Sequence, residues 1–244
     1  MVVRGKTDTG IVREQNQDVF LSYSSQETRQ AVCVVCDGMG GARAGDVASA
    51  AAATVFKEGL VGVLKPSVTL PEIIEAVKKT VSLANSRVYE MSKENTDYAG
   101  MGTTLVGCVI NAGMAVIANV GDSRAYLVSG RTIRRLTRDH SLVEEMVDSG
   151  KISDEEARFH PGKNLITRVI GTDSSVGADI YQLPINAGDV ILLCSDGLSN
   201  MIGEQEMLQH VIHIPDLSLC CDKMIELANE RGGQDNITVL LIAG

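Results

Sequence analysis

Apolar positions in this chain fall into runs of strand length, each closed by a break rich in glycine or aspartate. Residues 31–36, 103–110, 114–120, 190–194 and 237–242 are apolar almost without interruption, as strands buried on both faces must be. Residues 19–23, 124–128, 132–136 and 180–183 read as more mixed strands. Asn111-Ala112-Gly113 and Ser129-Gly130 are placed to turn hairpins, and Asn186-Ala187-Gly188-Asp189 joins 180–183 to 190–194. Helical spacing takes over in two early segments. Residues 45–64 are alanine-rich and suited to close packing. Residues 71–91 open on Pro71 and Glu72 and then repeat Ile73, Ile74, Val77, Val81, Ala84 and Val88. Two late segments, 205–211 and 217–231, are also helical. Short helices are predicted at 141–150 and 153–157, where Ser141 with Glu144 and Ser153 with Glu156 have capping-box spacing. Residues 1–10 and 158–175 are polar and predict no element. Helices and strands are thus segregated along the chain rather than alternating, which points to an α+β fold with antiparallel sheets. No linker composition interrupts residues 1–244, so a single domain is expected.

Composition narrows the function classes. The net charge of −9 argues against a nucleic-acid surface, which is usually basic. No apolar segment reaches the length needed to cross a bilayer, and residues 1–10 do not resemble a signal peptide, so a cytoplasmic location and no membrane partner are expected. Most of the six cysteines lie inside apolar runs, as buried reduced thiols do. Cys33 and Cys36 have metal or redox spacing, but residues three apart on a strand point to opposite faces.

The candidate chemistry lies in the breaks. Asp37 follows the run at 31–36 and is followed by Gly38, Gly40 and Gly41. Asp122 follows 114–120, Asp196 follows 190–194, Asp235 precedes 237–242, and Asp18 precedes 19–23. Each has an ordinary explanation by itself: a glycine turn at Asp37, a hairpin edge at Asp122, a helix cap at Asp196, a turn at Asp235. Gathered at the edge of one apolar core, however, they would repel one another and lose hydration, which is costly without a cation. An all-oxygen ligand set suits magnesium or manganese. The glycines do not fit a dinucleotide fingerprint or a P-loop, and Met39 and Gly41 rule out an EF-hand loop at Asp37.

Taken in order, Arg13 with Asn16-Gln17-Asp18, Asp37-Gly38-Met39-Gly40-Gly41, Gly102-Thr103-Thr104, Gly121-Asp122-Ser123-Arg124, Thr137-Arg138-Asp139-His140-Ser141, Ser195-Asp196-Gly197 and Asp235-Asn236-Ile237-Thr238 resemble the metal-dependent protein phosphatases of the protein phosphatase 2C, or PPM, type. The variants are similar to those of the short bacterial members. The resemblance covers nearly the whole chain. It implies an αββα sandwich of two antiparallel sheets flanked by helix pairs, and hydrolysis of protein phosphoserine and phosphothreonine by a metal-bridging hydroxide. Two Mn²⁺ or Mg²⁺ ions are implied, with a third, weaker one. By motif position Asp37 would bridge the metals and Gly38 would give one its carbonyl. Asp196 and Asp235 would bind the other, and Asp122 with Asp196 the third. Asp18 would act through metal-bound water, and Arg13 would grip substrate phosphate. Residues 140–175 correspond to a mobile flap, in which His160 and Asn164 are candidates for substrate contact. The implied partners are phosphoproteins and a Ser/Thr kinase whose work is reversed, with the phosphatase itself a monomer.

Two departures stand out. Met39 replaces a histidine proposed as general acid in many eukaryotic members, and Gln17 replaces a glutamate. Two other readings compete: a catalytically silent metal-binding module, and a phosphatase of a partner-switching regulator. The complete set of Asp37, Asp196, Asp235 and Arg13 argues against the first, and the lack of sensor modules against the second.

Overall fold

The computed structural model describes residues 1–40, 44–65, 67–162 and 164–244, so Gly41 of the glycine motif lies outside the described residues. The strands are β1 (Val2–Asp8), β2 (Asp18–Ser25), β3 (Gln30–Met39), β4 (Gly102–Thr103), β5 (Leu105–Asn111), β6 (Met114–Val120), β7 (Arg124–Ser129), β8 (Thr132–Arg135), β9 (Asp179–Pro184), β10 (Val190–Cys194) and β11 (Ile237–Ala243). The helices are α1 (Gly45–Val61), α2 (Leu70–Glu94), α3 (Leu142–Asp148), α4 (Asp154–Phe159), α5 (Asp196–Ser199), α6 (Glu204–His213) and α7 (Leu217–Glu230).

One antiparallel sheet has the order β1-β11-β10-β7-β8 and the other β2-β3-β5-β6-β9, with β4 alongside the end of β3. Each apolar run serves two cores, which is why it is continuous rather than alternating. In β3, Ala31, Cys33 and Val35 pack between the two sheets with Ile191, Leu193 and Leu240. Val32, Val34 and Cys36 face the other way, against Ala48, Ala52 and Phe56 of α1 and Val77 and Val81 of α2. Cys33 and Cys36 thus lie in different cores and share no chemistry. A third core joins β10 and β11 to α6 and α7 through Leu192, Leu241, Met207 and Met224. Helices, sheet, sheet and helices form the expected αββα layers.

Four details differ from the periodicity. β1 occupies the stretch for which no element is predicted: it is a half-exposed edge strand whose whole length pairs with β11, and its register partner lies at the other end of the chain. β3 continues through Asp37 to Met39, because Gly38 and Met39 pair with β4. The strand predicted at 103–110 is broken at Thr104, whose N–H donates to the Asp37 carbonyl at 2.9 Å. Residues 166–173 are tied into the body rather than forming a loose loop. Ile166 bridges to Ser141, Ile170 exchanges backbone bonds with Thr103, and Asn85 of α2 holds both Gly171 and Asp173. Ile170 is fully buried.

Candidate active site

The antiparallel registers bring five breaks in the apolar pattern to one end of the sandwich. Asp18 at the start of β2 lies opposite Asp37 near the end of β3. Cys194 at the end of β10 is paired on one side with Arg124, which starts β7, and on the other with Val239 near the start of β11. That places Asp122, Asp196 and Asp235 beside one another. The end of β1 pairs with the start of β11, so the loop at 9–17 carrying Arg13 crosses the same end. Asp37, Asp122, Asp196, Asp235, Arg13, Gly38 and Asn164 all line one 540 Å³ cavity.

Asp37, Asp18 and the arginine loop are held by neighbours that the motifs contain but whose work only the fold assigns. Asp37 is fastened through its backbone: its N–H donates to Thr104 Oγ1 at 2.9 Å and its carbonyl accepts from Thr103 Oγ1 at 2.9 Å. Thr104 Oγ1 is in turn 2.7 Å from Ser123 Oγ, which links the Asp37 strand to the Asp122 turn. Asp18 ties one sheet to the other, its Oδ2 accepting from Ser195 Oγ and Thr238 Oγ1, both at 2.7 Å. Asn236 staples the arginine loop. Its Oδ1 accepts from the Gln17 N–H at 2.8 Å, and its Nδ2 donates to the carbonyls of Thr9 and Gln15 at 2.9 Å.

The glycines beside the aspartates serve close backbone packing. A Cβ on Gly38 would lie 2.1 Å from the Gly45 carbonyl oxygen, where α1 begins. A Cβ on Gly197 would lie 2.1 Å from the Asn236 carbonyl oxygen, so only glycine lets the Asp196 turn sit against the Asp235 turn.

The electrostatics of this end are unfavourable as they stand. Burial, reinforced by Asp196 and Asp235, pushes the Asp18 carboxyl up to about 7. Burial, with Asp196 and Asp139 adding, raises Asp122 to about 8. Asp37 stands well above the usual carboxylate range, first by burial and then by the charges of Asp18, Asp196, Asp122 and Asp235. Asp196 is also raised, by burial and then by Asp235. Oδ1 of Asp18, of Asp122 and of Asp196 is buried without a hydrogen-bond partner. Cations are scarce: Arg13 Nη2 meets Asp235 Oδ2 at 2.9 Å, while Arg124 is spent on Asp139. Buried carboxylate oxygens that accept nothing are what a divalent cation would satisfy, and the oxygen-only donor set suits a hard ion. Among the described residues no three acidic, histidine or cysteine side chains are already closed into a cage. Ions of this class do not require one, since they keep several waters and take one or two carboxylates each.

The sequence pattern of the protein phosphatase 2C family matches residues 11–238. The serine/threonine phosphatase stp of Listeria monocytogenes is 41% identical over 237 residues, covering 97% of this chain and 93% of that protein. The chain belongs to the protein phosphatase 2C family. The crystal structure of the serine/threonine phosphatase Stp1 from Staphylococcus aureus superimposes with a TM-score of 0.91 at 36% identity, covering 99% of this chain and 94% of that one. The catalytic domain of the serine/threonine phosphatase PstP, solved with two manganese ions, is 30% identical with a TM-score of 0.83, covering 98% of this chain and 96% of that one.

Within this phosphatase 2C domain the remaining candidates divide. Asn164 lines the 540 Å³ cavity and also an adjoining 1100 Å³ cavity that reaches Arg135, Val147 and Ile202. His160 lines neither; its Nδ1 accepts from the Gly162 N–H at 3.0 Å and closes its own turn. His140 is buried and built into the Asp122 turn, with Nδ1 accepting from the Gly121 N–H at 3.1 Å. Its Nε2 faces Asp179 and the Arg168 guanidinium, both at 3.2 Å. Burial pushes the Cys194 thiol up to about 12 and Cys36 higher still, so neither is a nucleophile at neutral pH. Ser195, Thr238, Thr104 and Asn236 are the supporting residues that sequence reasoning leaves without roles. Their signal was adjacency to the aspartates, and their partners are set by the fold.

Proposed function

We propose that this domain hydrolyses phosphoserine and phosphothreonine in proteins with the help of two divalent cations, reversing the work of a Ser/Thr protein kinase. The observation that carries the reading is the convergence of four aspartates from separate turns on one cavity, with Asp18 buried opposite Asp37 behind them. One carboxylate oxygen on each of Asp18, Asp122 and Asp196 is buried and unpartnered, and Arg13 stands at the rim. Asp37, the Gly38 carbonyl, Asp196 and Asp235 would hold the two ions, and Asp122 with Asp196 a third, weaker one. Manganese or magnesium suits these ligands equally. When bound, such ions lower the pKa of coordinated water and offset charge on phosphate oxygens.

The chain's own residues do the rest. Arg13 is half-exposed at the cavity mouth, and its planar fork matches two oxygens of a phosphate monoester. Its pairing with Asp235 keeps the guanidinium at the cleft before substrate arrives. Asp18, fixed by Ser195 and Thr238, orients water through its remaining oxygen. Met39 lines the cavity and donates no proton, so the leaving oxygen takes its proton from another donor. Asn164 and His160 are proposed substrate contacts of the segment at 140–175, the first directly and the second through the shape of its turn.

The test is release of phosphate from a phosphothreonine peptide with and without Mn²⁺, beside the Asp37→Ala protein. Metal-dependent turnover that disappears in the variant supports the reading. Tight Mn²⁺ binding without turnover would make the chain a silent binding module instead.

A further inference from the structure

Three aliphatic side chains stand out around the acidic cleft. Among the described residues Ile11, Val12 and Leu165 are the most exposed large hydrophobic residues, at 68%, 64% and 58%. Isolated exposed aliphatics are ordinary on a protein surface. These three differ in their placement. Ile11 and Val12 immediately precede Arg13, while Leu165 stands between Asn164 and Ile166, and Arg13, Asn164 and Ile166 all line the catalytic cavity. Their backbones are also fixed. The N–H groups of Ile11 and Val12 donate to the Gly233 carbonyl at 2.8 and 3.2 Å. The Leu165 N–H donates to Gly162 at 3.1 Å, and its carbonyl accepts from Leu142 at 2.8 Å. The side chains are held out in water by loops that could have carried polar residues at no cost to the core.

We infer that Ile11, Val12 and Leu165 form an apolar rim that selects phosphoproteins with large apolar residues near the phosphorylated position. The proposal rests on the phosphatase reading and specifies its substrate class. Continuity with the catalytic cavity decides the occupant. A phosphoseryl or phosphothreonyl side chain is short, and successive Cα atoms are about 3.8 Å apart. A phosphate seated between Arg13 and the aspartates therefore draws its neighbouring residues across this rim. In an extended substrate, residues two positions away on either side share the face of the phosphorylated residue, roughly 7 Å along the chain. The rim accordingly favours apolar side chains two residues before and two residues after the phosphate.

The experiment compares kcat/KM for two phosphothreonine peptides, one with leucine at both of these positions and one with serine. The rim predicts that wild-type enzyme prefers the leucine peptide about tenfold, the scale of partly burying two aliphatic side chains. In the Ile11→Ser/Val12→Ser and the Leu165→Ser proteins the ratio should fall toward one. Turnover of both peptides at equal kcat/KM by wild-type enzyme would overturn the rim while leaving the phosphatase reading intact. A leucine preference that survives both sets of substitutions would equally overturn it. Failure to hydrolyse either peptide in the presence of Mn²⁺ would overturn the phosphatase reading, and the rim with it.

Discussion

Asp37 is the residue on which the site turns, because burial and four other aspartates all oppose its ionisation. Its carboxylate costs the metal-free protein stability and is needed only when a cation is bound. Asp37→Asn should therefore abolish turnover yet raise the melting temperature of the chelated protein at pH 7.5, by about 3 °C or more. A lower melting temperature in the presence of EDTA would show that the carboxylate supports the fold. Arg13 calls for a different test. It touches Asp235 but is half-exposed, so its loss should leave the fold unchanged. Arg13→Ala is expected to raise KM for a phosphopeptide about tenfold with a smaller fall in kcat, since a phosphate is gripped in ground and transition states alike. Steady-state kinetics at saturating Mn²⁺ read this directly, and an unchanged KM would remove Arg13 from phosphate binding.

Among the elements, the loop at 9–17 is largely exposed and is fastened mainly by one side chain. Three bonds from Asn236 reach Thr9, Gln15 and Gln17, and Gly233 holds Ile11 and Val12 from beside it. Asn236→Ala leaves those backbone groups unpaired and should cost about 2–3 kcal/mol. Such a loss lowers the melting temperature by roughly 5–10 °C. It should also raise KM by loosening Arg13, a pairing of effects that differential scanning and kinetics on the same preparation would reveal. The segment at 140–175 behaves as two parts. Residues 166–173 belong to the body through Thr103 and Asn85, whereas α3, α4 and Asn164 lie over the two cavities. Asn164→Ala should accordingly slow phosphopeptide turnover more than turnover of p-nitrophenyl phosphate, which touches little beyond Arg13 and the metals. Equal losses on both substrates would place Asn164 in the assembly of the metal centre.

Across the whole molecule, the aspartate cluster links stability to pH and to metal. Burial, with neighbouring aspartates, holds the carboxyls of Asp18 at about 7 and Asp122 at about 8 in the folded chain, against about 4 for an ordinary carboxylate. Between these limits the native state keeps protons that the unfolded chain has released, so stability is greatest below pH 4 from this source and falls as pH rises toward 8. A cation reverses the balance by favouring the ionised carboxylates and binding only the folded state. The melting temperature of the chelated protein should decline from pH 5 to pH 8, and saturating Mn²⁺ should raise it most at the upper end. A metal-induced rise that is the same at pH 5 and pH 8 would disconnect the cluster from metal binding. Among the described residues no helix is long and apolar enough to cross a membrane.

The apolar runs established most of the strands, because strands buried on both faces cannot hide their composition, and helical spacing established the four long helices, which together gave the α+β class. That aspartates close several apolar runs was legible too, although each alone has an ordinary structural use and only their number pointed further; Arg13 was singled out by the family resemblance alone. β1 was not legible: an edge strand with one neighbour has no need of an apolar pattern, and its partner β11 is at the far end of the sequence. Nor were the supporting roles. That Ser195 and Thr238 from one sheet hold Asp18 of the other, or that Asn236 fastens the arginine loop, follows from residues far apart in the chain meeting at the end of the sandwich. The glycines carried an ambiguity that local pattern cannot resolve. Gly38 and Gly197 could have made room for a ligand, and the fold uses them to let one turn touch another. Local composition determines which residues can sit at a strand end. Only the antiparallel register determines which strand ends meet, and the repulsion that calls for metal arises from that meeting.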